Sequence, residues 1–137
     1  MKKTPTLLIV DDEEEIRKLL YRHFKLKEYN AFLAQDVDSA EKELAKRRFD
    51  VVICDIMMPG RLGTELLLTI RDEYPMTHAI MITGQVTMGN AMACMRRRAD
   101  TCIFKPLEDL KELDEAVDRA VGDIRRWNRK LAQLKGL

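Results

Sequence analysis

DVVICDIMMPG, residues 50–60, runs four apolar residues, Val51 to Cys54, straight into an acid, Asp55, and then into a Pro59-Gly60 turn. A short apolar run bounded by turn signals reads as a strand buried on both faces, the kind found in a parallel sheet covered by helices. Asp55 is then the first polar residue at the carboxyl end of that strand. In open parallel sheets ligands bind at that edge, so a carboxylate delivered there is a site candidate before any other residue is considered.

Working outward, LLIV (residues 7–10) is a second continuous apolar run, and it ends in Asp11-Asp12. If the two strands are parallel neighbours, three carboxylates converge on one edge. At ~5 Å and an effective dielectric near 20, two ionised carboxylates repel by on the order of 3 kcal/mol. The cluster therefore needs a cation.

The rest of the chain repeats the alternation. Asp12 can cap a helix with Ile16, Leu19, Leu20 and Phe24 inward and Arg17, Lys18 and Arg22 outward, and a short strand follows around residues 29–34. Asp38 and Glu41 form a variant capping pair for a helix through Ala40, Leu44 and Ala45. After Asp55 come a helix over residues 63–73, a strand over 79–83 and a helix capped by Thr87 that closes in Arg96, Arg97 and Arg98. A strand over residues 101–104 and a last helix from about Glu108 complete the pattern. Strands and helices in strict alternation predict right-handed crossovers and an α/β fold with a doubly wound, five-stranded parallel sheet. With the flavodoxin-like order 2-1-3-4-5, the switch point lies between the first and third strands, where Asp11, Asp12 and Asp55 gather.

Composition bounds the function. The 137 residues suit one globular domain, and 24 basic against 23 acidic residues give a net charge of +1, which offers no bulk attraction for nucleic acid or a membrane. Cys54, Cys94 and Cys102 are odd in number and sit in apolar segments, which argues against a disulfide framework or a zinc motif. The amino terminus has too short an apolar run for a signal peptide or a membrane span, so the expectation is a cytoplasmic protein. No DNA-binding domain is readable, so either the output is a partner protein or the chain is a piece of a longer one.

The strand ends also carry Thr83 and Lys105. Carboxylates and water suit a hard cation such as Mg2+, an ammonium and a hydroxyl suit phosphoryl oxygens, and Asp55 is left as a nucleophile able to form an acyl phosphate. Any one acid at a strand end is more often a solvated turn residue or a cap; five groups on one edge outweigh that reading. His23 and His78 lack metal spacing, Arg96 to Arg98 suit the last turn of a helix, and Met88, Met92 and Met95 divide between core and surface.

The ordered set LLIVDDEEEIRKLL (7–20), DVVICDIMMPG (50–60), IMITG (80–84) and FKP (104–106) resembles the receiver domain of bacterial two-component response regulators, over about residues 5–121. The resemblance implies that Asp55 accepts a phosphoryl group from a histidine kinase's phosphohistidine. It implies further that Asp11, Asp12, Asp55 and the backbone carbonyl of Met57 hold Mg2+, that Thr83 and Lys105 bind phosphoryl oxygens, and that Lys105-Pro106 is cis. Two positions depart from the family. Cys102 stands where an aromatic is usual, which puts the threonine-aromatic relay in doubt, and Arg98-Ala99 stands where Gly-Ala is common. Rival readings are a small phosphohydrolase with Asp55 as nucleophile, a flavodoxin-like cofactor binder, disfavoured by acids at the first strand end, and a docking module that is not phosphorylated.

Leu110, Leu113, Val117, Ala120, Ile124, Trp127, Leu131 and Leu134 recur at intervals of 3 and 4, the a/d pattern of a coiled coil. The expected division is a switch domain over residues 1–121 and a helical extension over 122–137 that forms a homodimer seam or leads to an output domain. The alternative is a helix that breaks at Gly122 and folds back.

Overall fold

The computed structural model describes residues 4–85 and 87–136. Five strands, β1 (Thr6–Val10), β2 (Asn30–Ala34), β3 (Val51–Asp55), β4 (His78–Thr83) and β5 (Thr101–Phe104), alternate with five helices, α1 (Glu14–Leu26), α2 (Val37–Lys46), α3 (Gly63–Glu73), α4 (Met88–Arg96) and α5 (Lys111–Lys135). All strand pairs are parallel, in the order β2-β1-β3-β4-β5. That is the doubly wound sheet expected from the sequence.

Alternation along each strand divides the core in two. Leu8, Val10, Val52, Cys54 and Met81 face α2, α3 and α4, whereas Leu7, Ile9, Val51, Ile53, Ile80 and Ile103 face α1 and α5. A strand covered on both faces has no position for a polar residue until its end. β3 is buried throughout, Asp55 included.

Local chemistry differs from the sequence reading at several ends. Glu13, not Asp12, stands at the N-cap of α1, and the side chain that takes its N–H is the Asp11 carboxylate, at 2.9 Å. Arg17 turns back to donate to the Asp11 carbonyl at 2.7 Å instead of pointing outward. The capping box of α2 is Asp36 with Ser39, because Asp38 is already inside the helix. Thr87 caps α4 as expected, by accepting from Asn90 N–H at 3.1 Å. The methionines of α4 do not divide evenly: Met88, Met92 and Met95 are all exposed, and Cys94 is the helix's buried residue.

α5 runs unbroken through Gly122, which removes the fold-back reading. Leu113, Val117 and Ala120 of its apolar seam are buried on the domain; Trp127, Leu131 and Leu134 remain 56%, 49% and 62% exposed. The helix is anchored where it leaves the sheet by His78, whose ring nitrogens lie 2.5 Å from Asp100 and 3.3 Å from Asp123. The hydrogen bond with Asp100 leads in raising the His78 pKa above its ordinary value; burial and Arg71 oppose it, and Asp123 adds to it. No described helix is long and apolar enough to cross a membrane.

Candidate functional site

β1 and β3 are adjacent and parallel, with Val10 opposite Cys54, so the residues just past that register, Asp11 and Asp55, leave the sheet side by side. Ligand oxygens of Asp11, Asp12, Glu13 and Asp55 all lie within 4.8 Å of one another. Asp11 and Asp55 are buried; Asp12 and Glu13 are exposed at the mouth. Glu13 was not singled out in the sequence, where it reads as one more acid at the start of a helix. Its place directly after two strand-end acids was the available signal.

Lys105 reaches the same point from the end of β5. Its ammonium lies 3.1 Å from Asp11 Oδ2, 3.2 Å from Asp55 Oδ2 and 3.0 Å from Glu13 Oε1. The contact to Asp11 Oδ2 is an ion pair without the alignment of a hydrogen bond, so this buried oxygen has no hydrogen-bond donor among the described residues. Burial pulls the Lys105 pKa down, but Glu13, Asp11 and Asp55 more than offset it and the net direction is up. The lysine peptide bond to Pro106 is cis.

Burial is also the main reason that the Asp55 carboxyl is pushed up to about 6, with the charge of Asp11 adding to it and Lys105 opposing. Asp11 is raised as well, again by burial first. One ammonium shared among three acids leaves the cluster short of positive charge. A buried carboxylate oxygen held only by an ion pair, in a set made only of oxygen donors, fits a hard divalent cation.

The loop after β3 is held close to the site. Met57 N–H donates to Asp55 Oδ1 at 3.2 Å, and Gly63 N–H donates to the Ile56 carbonyl at 2.8 Å. A Cβ at Gly63 would collide with the Asp55 carbonyl oxygen, so the helix that follows starts against the backbone of the acid itself. Thr83 is buried at the end of β4, on the same edge. Its hydroxyl faces the next loop, accepting from Gln85 N–H at 3.0 Å and donating to the Gln85 carbonyl at 3.1 Å. Asp11, Asp12, Asp55 and Lys105 are therefore brought together as the sequence implied, while the Thr83 hydroxyl is engaged with Gln85.

Cys102 packs with Cys94 between β5 and α4, among residues that leave its thiol pushed up to about 12, chiefly by burial. Phe104, two residues on, is exposed.

An open parallel sheet with paired acids at the end of β1, an acid at the end of the neighbouring β3 and a lysine reaching across from the end of β5 defines a class, and comparison with known proteins names it. The response regulator receiver domain family matches residues 7–118, and the chain belongs to that family. It is 36% identical over 133 residues to the nitrogen assimilation regulatory protein NtrX of Azorhizobium caulinodans, covering 96% of this chain and 29% of that protein. It is 34% identical over 125 residues to the regulatory protein VanR of Enterococcus faecium, covering 90% of this chain and 51% of that one. The chain thus spans 29% and 51% of the length of these two curated relatives. Among solved structures, response regulator TrrA of Thermotoga maritima, solved in complex with Mg2+-BeF, superposes with a TM-score of 0.77 at 29% identity, covering 85% of this chain and 99% of that one.

Proposed function

We propose that this receiver domain is a phosphoacceptor switch in which Asp55 takes a phosphoryl group from a histidine kinase's phosphohistidine. The observation that carries the reading is the Asp55 carboxylate at the end of β3, 3.2 Å from the Lys105 ammonium and inside the four-acid cluster. A carboxylate oxygen of Asp55 forms the new bond to phosphorus as the phosphorus–nitrogen bond breaks, and the electron pair of that bond stays on the donor imidazole. Asp11, Asp12, Asp55 and the Met57 carbonyl are the residues to hold Mg2+. When bound, Mg2+ neutralises charge on the acids and on the phosphoryl oxygens.

Lys105 exchanges its contact with Asp55 for a phosphoryl oxygen. The Thr83 hydroxyl reaches another only by leaving Gln85, which couples occupancy of the site to the loop that leads into α4. Met57 and Gln85 flank the acceptor and tune the lifetime of the acyl phosphate by blocking or orienting water. The domain modifies itself and turns over no separate small-molecule substrate.

Residues 1–121 form the switch, and the extension over 122–137, helical as far as Lys135, pairs its exposed seam with a second copy. The exposed stripe is narrow, an a/d seam rather than the wide face of a helix lying on a membrane.

The test is incubation with a labelled phosphohistidine donor or acetyl phosphate and Mg2+. Wild type takes up label only with Mg2+, and Asp55→Ala takes up none. Label retained on Asp55→Ala removes the reading, and rapid turnover of a separate phosphorylated substrate favours a phosphohydrolase.

A further inference from the structure

The sheet ends on one side in β2, which pairs only with β1, so its outer edge is open among the described residues. In a parallel ladder each residue's N–H and C=O point to the same side, alternating along the strand. Asn30 N–H and the Ala34 carbonyl are bonded toward β1, at 3.0 and 3.2 Å, so Ala31 and Leu33 turn their backbone groups outward.

Beside that edge, on the α1 side, lies a groove of about 400 Å3 lined by Lys18, Tyr21, Arg22, Lys25, Leu26 and Leu33. Five of the six follow one another on α1 at spacings of i, i+3, i+4, i+7 and i+8, which puts them on one face. That face is turned from the core, where Leu20 and Phe24 pack. Leu26 is 81% exposed and Leu33 37%. Large aliphatic side chains beside unpaired strand backbone are what an exposed edge ordinarily avoids.

The charged residues that line the groove are all basic. Lys18 is paired with Glu14 at 3.0 Å, but among the described residues Arg22 and Lys25 make no ion pair. Lys25 lies over the Tyr21 ring, 5.5 Å from its centroid. On the opposite face of the same strand Arg47 stacks over Phe32 at 4.2 Å, its guanidinium 3.5 Å from Glu43. Cations therefore flank the open edge on both faces.

We infer that the α1–β2 edge docks an extended acidic segment of another protein, which adds as a sixth strand beside β2. Alternate side chains of the added strand enter the groove against Tyr21, Leu26 and Leu33, its acidic residues reach Arg22 and Lys25, and its backbone closes the outward groups of Ala31 and Leu33. A second copy of this chain is the weaker occupant, because it would bring the same cations to the edge. The inference is independent of the chemistry at Asp55.

The probe is a synthetic nonapeptide, Val-Thr-Glu-Thr-Val-Thr-Glu-Thr-Val, which puts valine and glutamate on one strand face, with a lysine-for-glutamate counterpart and a form N-methylated at alternate residues. Titration into the isotope-labelled protein is followed by amide resonances. The acidic peptide is expected to bind saturably and shift Ala31 and Leu33, the basic and N-methylated forms to leave them unmoved, and Arg22→Glu/Lys25→Glu to weaken binding at least 10-fold. Both substituted residues are exposed on α1, and an amide spectrum of the double variant unchanged away from α1 and β2 confirms its fold. The inference is overturned if the acidic peptide leaves β2 unmoved, if the N-methylated form binds equally, if charge reversal has no effect, or if the free protein self-associates through this edge.

Discussion

Asp55 is held between opposing demands. Buried beside Asp11, its carboxyl is pushed up to about 6 from an ordinary 3.8. A carboxylate whose folded value is raised binds more protons folded than unfolded between those values, so as pH rises through that window the metal-free fold loses stability. A divalent cation competes for the same oxygens, so its affinity must run the other way. Titration calorimetry with Mg2+ should show affinity rising from pH 5.5 and levelling above pH 7, with a slope of about tenfold per pH unit below 6 for one displaced proton. Equal affinity at pH 5.5 and 7.5 would separate Asp55 from the cation. Asp55, Asp11, Asp12 and Lys105 were legible in the sequence because each is a polar residue that ends an apolar run. Glu13 and the engagement of Thr83 with Gln85 were not, since one needs the helix to be placed and the other the path of a loop.

At the scale of the element, helix starts and helix ends were unequally readable. α4 closes with Arg98 at a φ of 59°, Arg98 N–H donating to Met95 and Ala99 N–H to Cys94, at 3.1 and 3.0 Å. α1 closes in the same way, with Glu28 at a φ of 68°. Both are Schellman ends, which ordinarily carry glycine. With arginine and glutamate there, the sequence lacks the glycine that ordinarily marks such an end. Arg98→Gly should raise unfolding free energy by ~1 kcal/mol in urea denaturation, because glycine occupies the left-handed region without the Cβ conflict. No gain would mean that the arginine side chain supports α4 by contacts of its own.

α5 was legible as a seam, and its structure divides that seam into a part the domain covers and a part it does not. In a parallel, in-register pair, Ile124, Trp127, Leu131 and Leu134 meet their counterparts, and Lys130 of one copy faces Lys135 of the other. Light scattering should show a concentration-dependent dimer that strengthens as salt screens the lysines and is weakened at least 10-fold by Trp127→Ala/Leu131→Ala. A monomer at high concentration, with or without a phosphate analogue, would count against the seam.

For the whole molecule, the parallel order β2-β1-β3-β4-β5 is what turns separate motifs into one site. β1 and β3 become neighbours only through that crossover, and β5 delivers Lys105 across the end of β4. Alternation made the doubly wound parallel sheet readable, and the order 2-1-3-4-5 that came with the flavodoxin-like form already put β2 at an edge; the groove that α1 and Leu33 form beside it was not readable, since it depends on how the helix packs on the strand. In the proposed switch the acid ending β3 is the residue that takes up phosphorus. The most direct test of this is peptide mapping after borohydride reduction of protein treated with phosphohistidine donor and Mg2+. An acyl phosphate on Asp55 leaves homoserine at that position and at no other, and the account predicts this; modification at Asp11, Asp12 or Glu13, or none at Asp55, would contradict it.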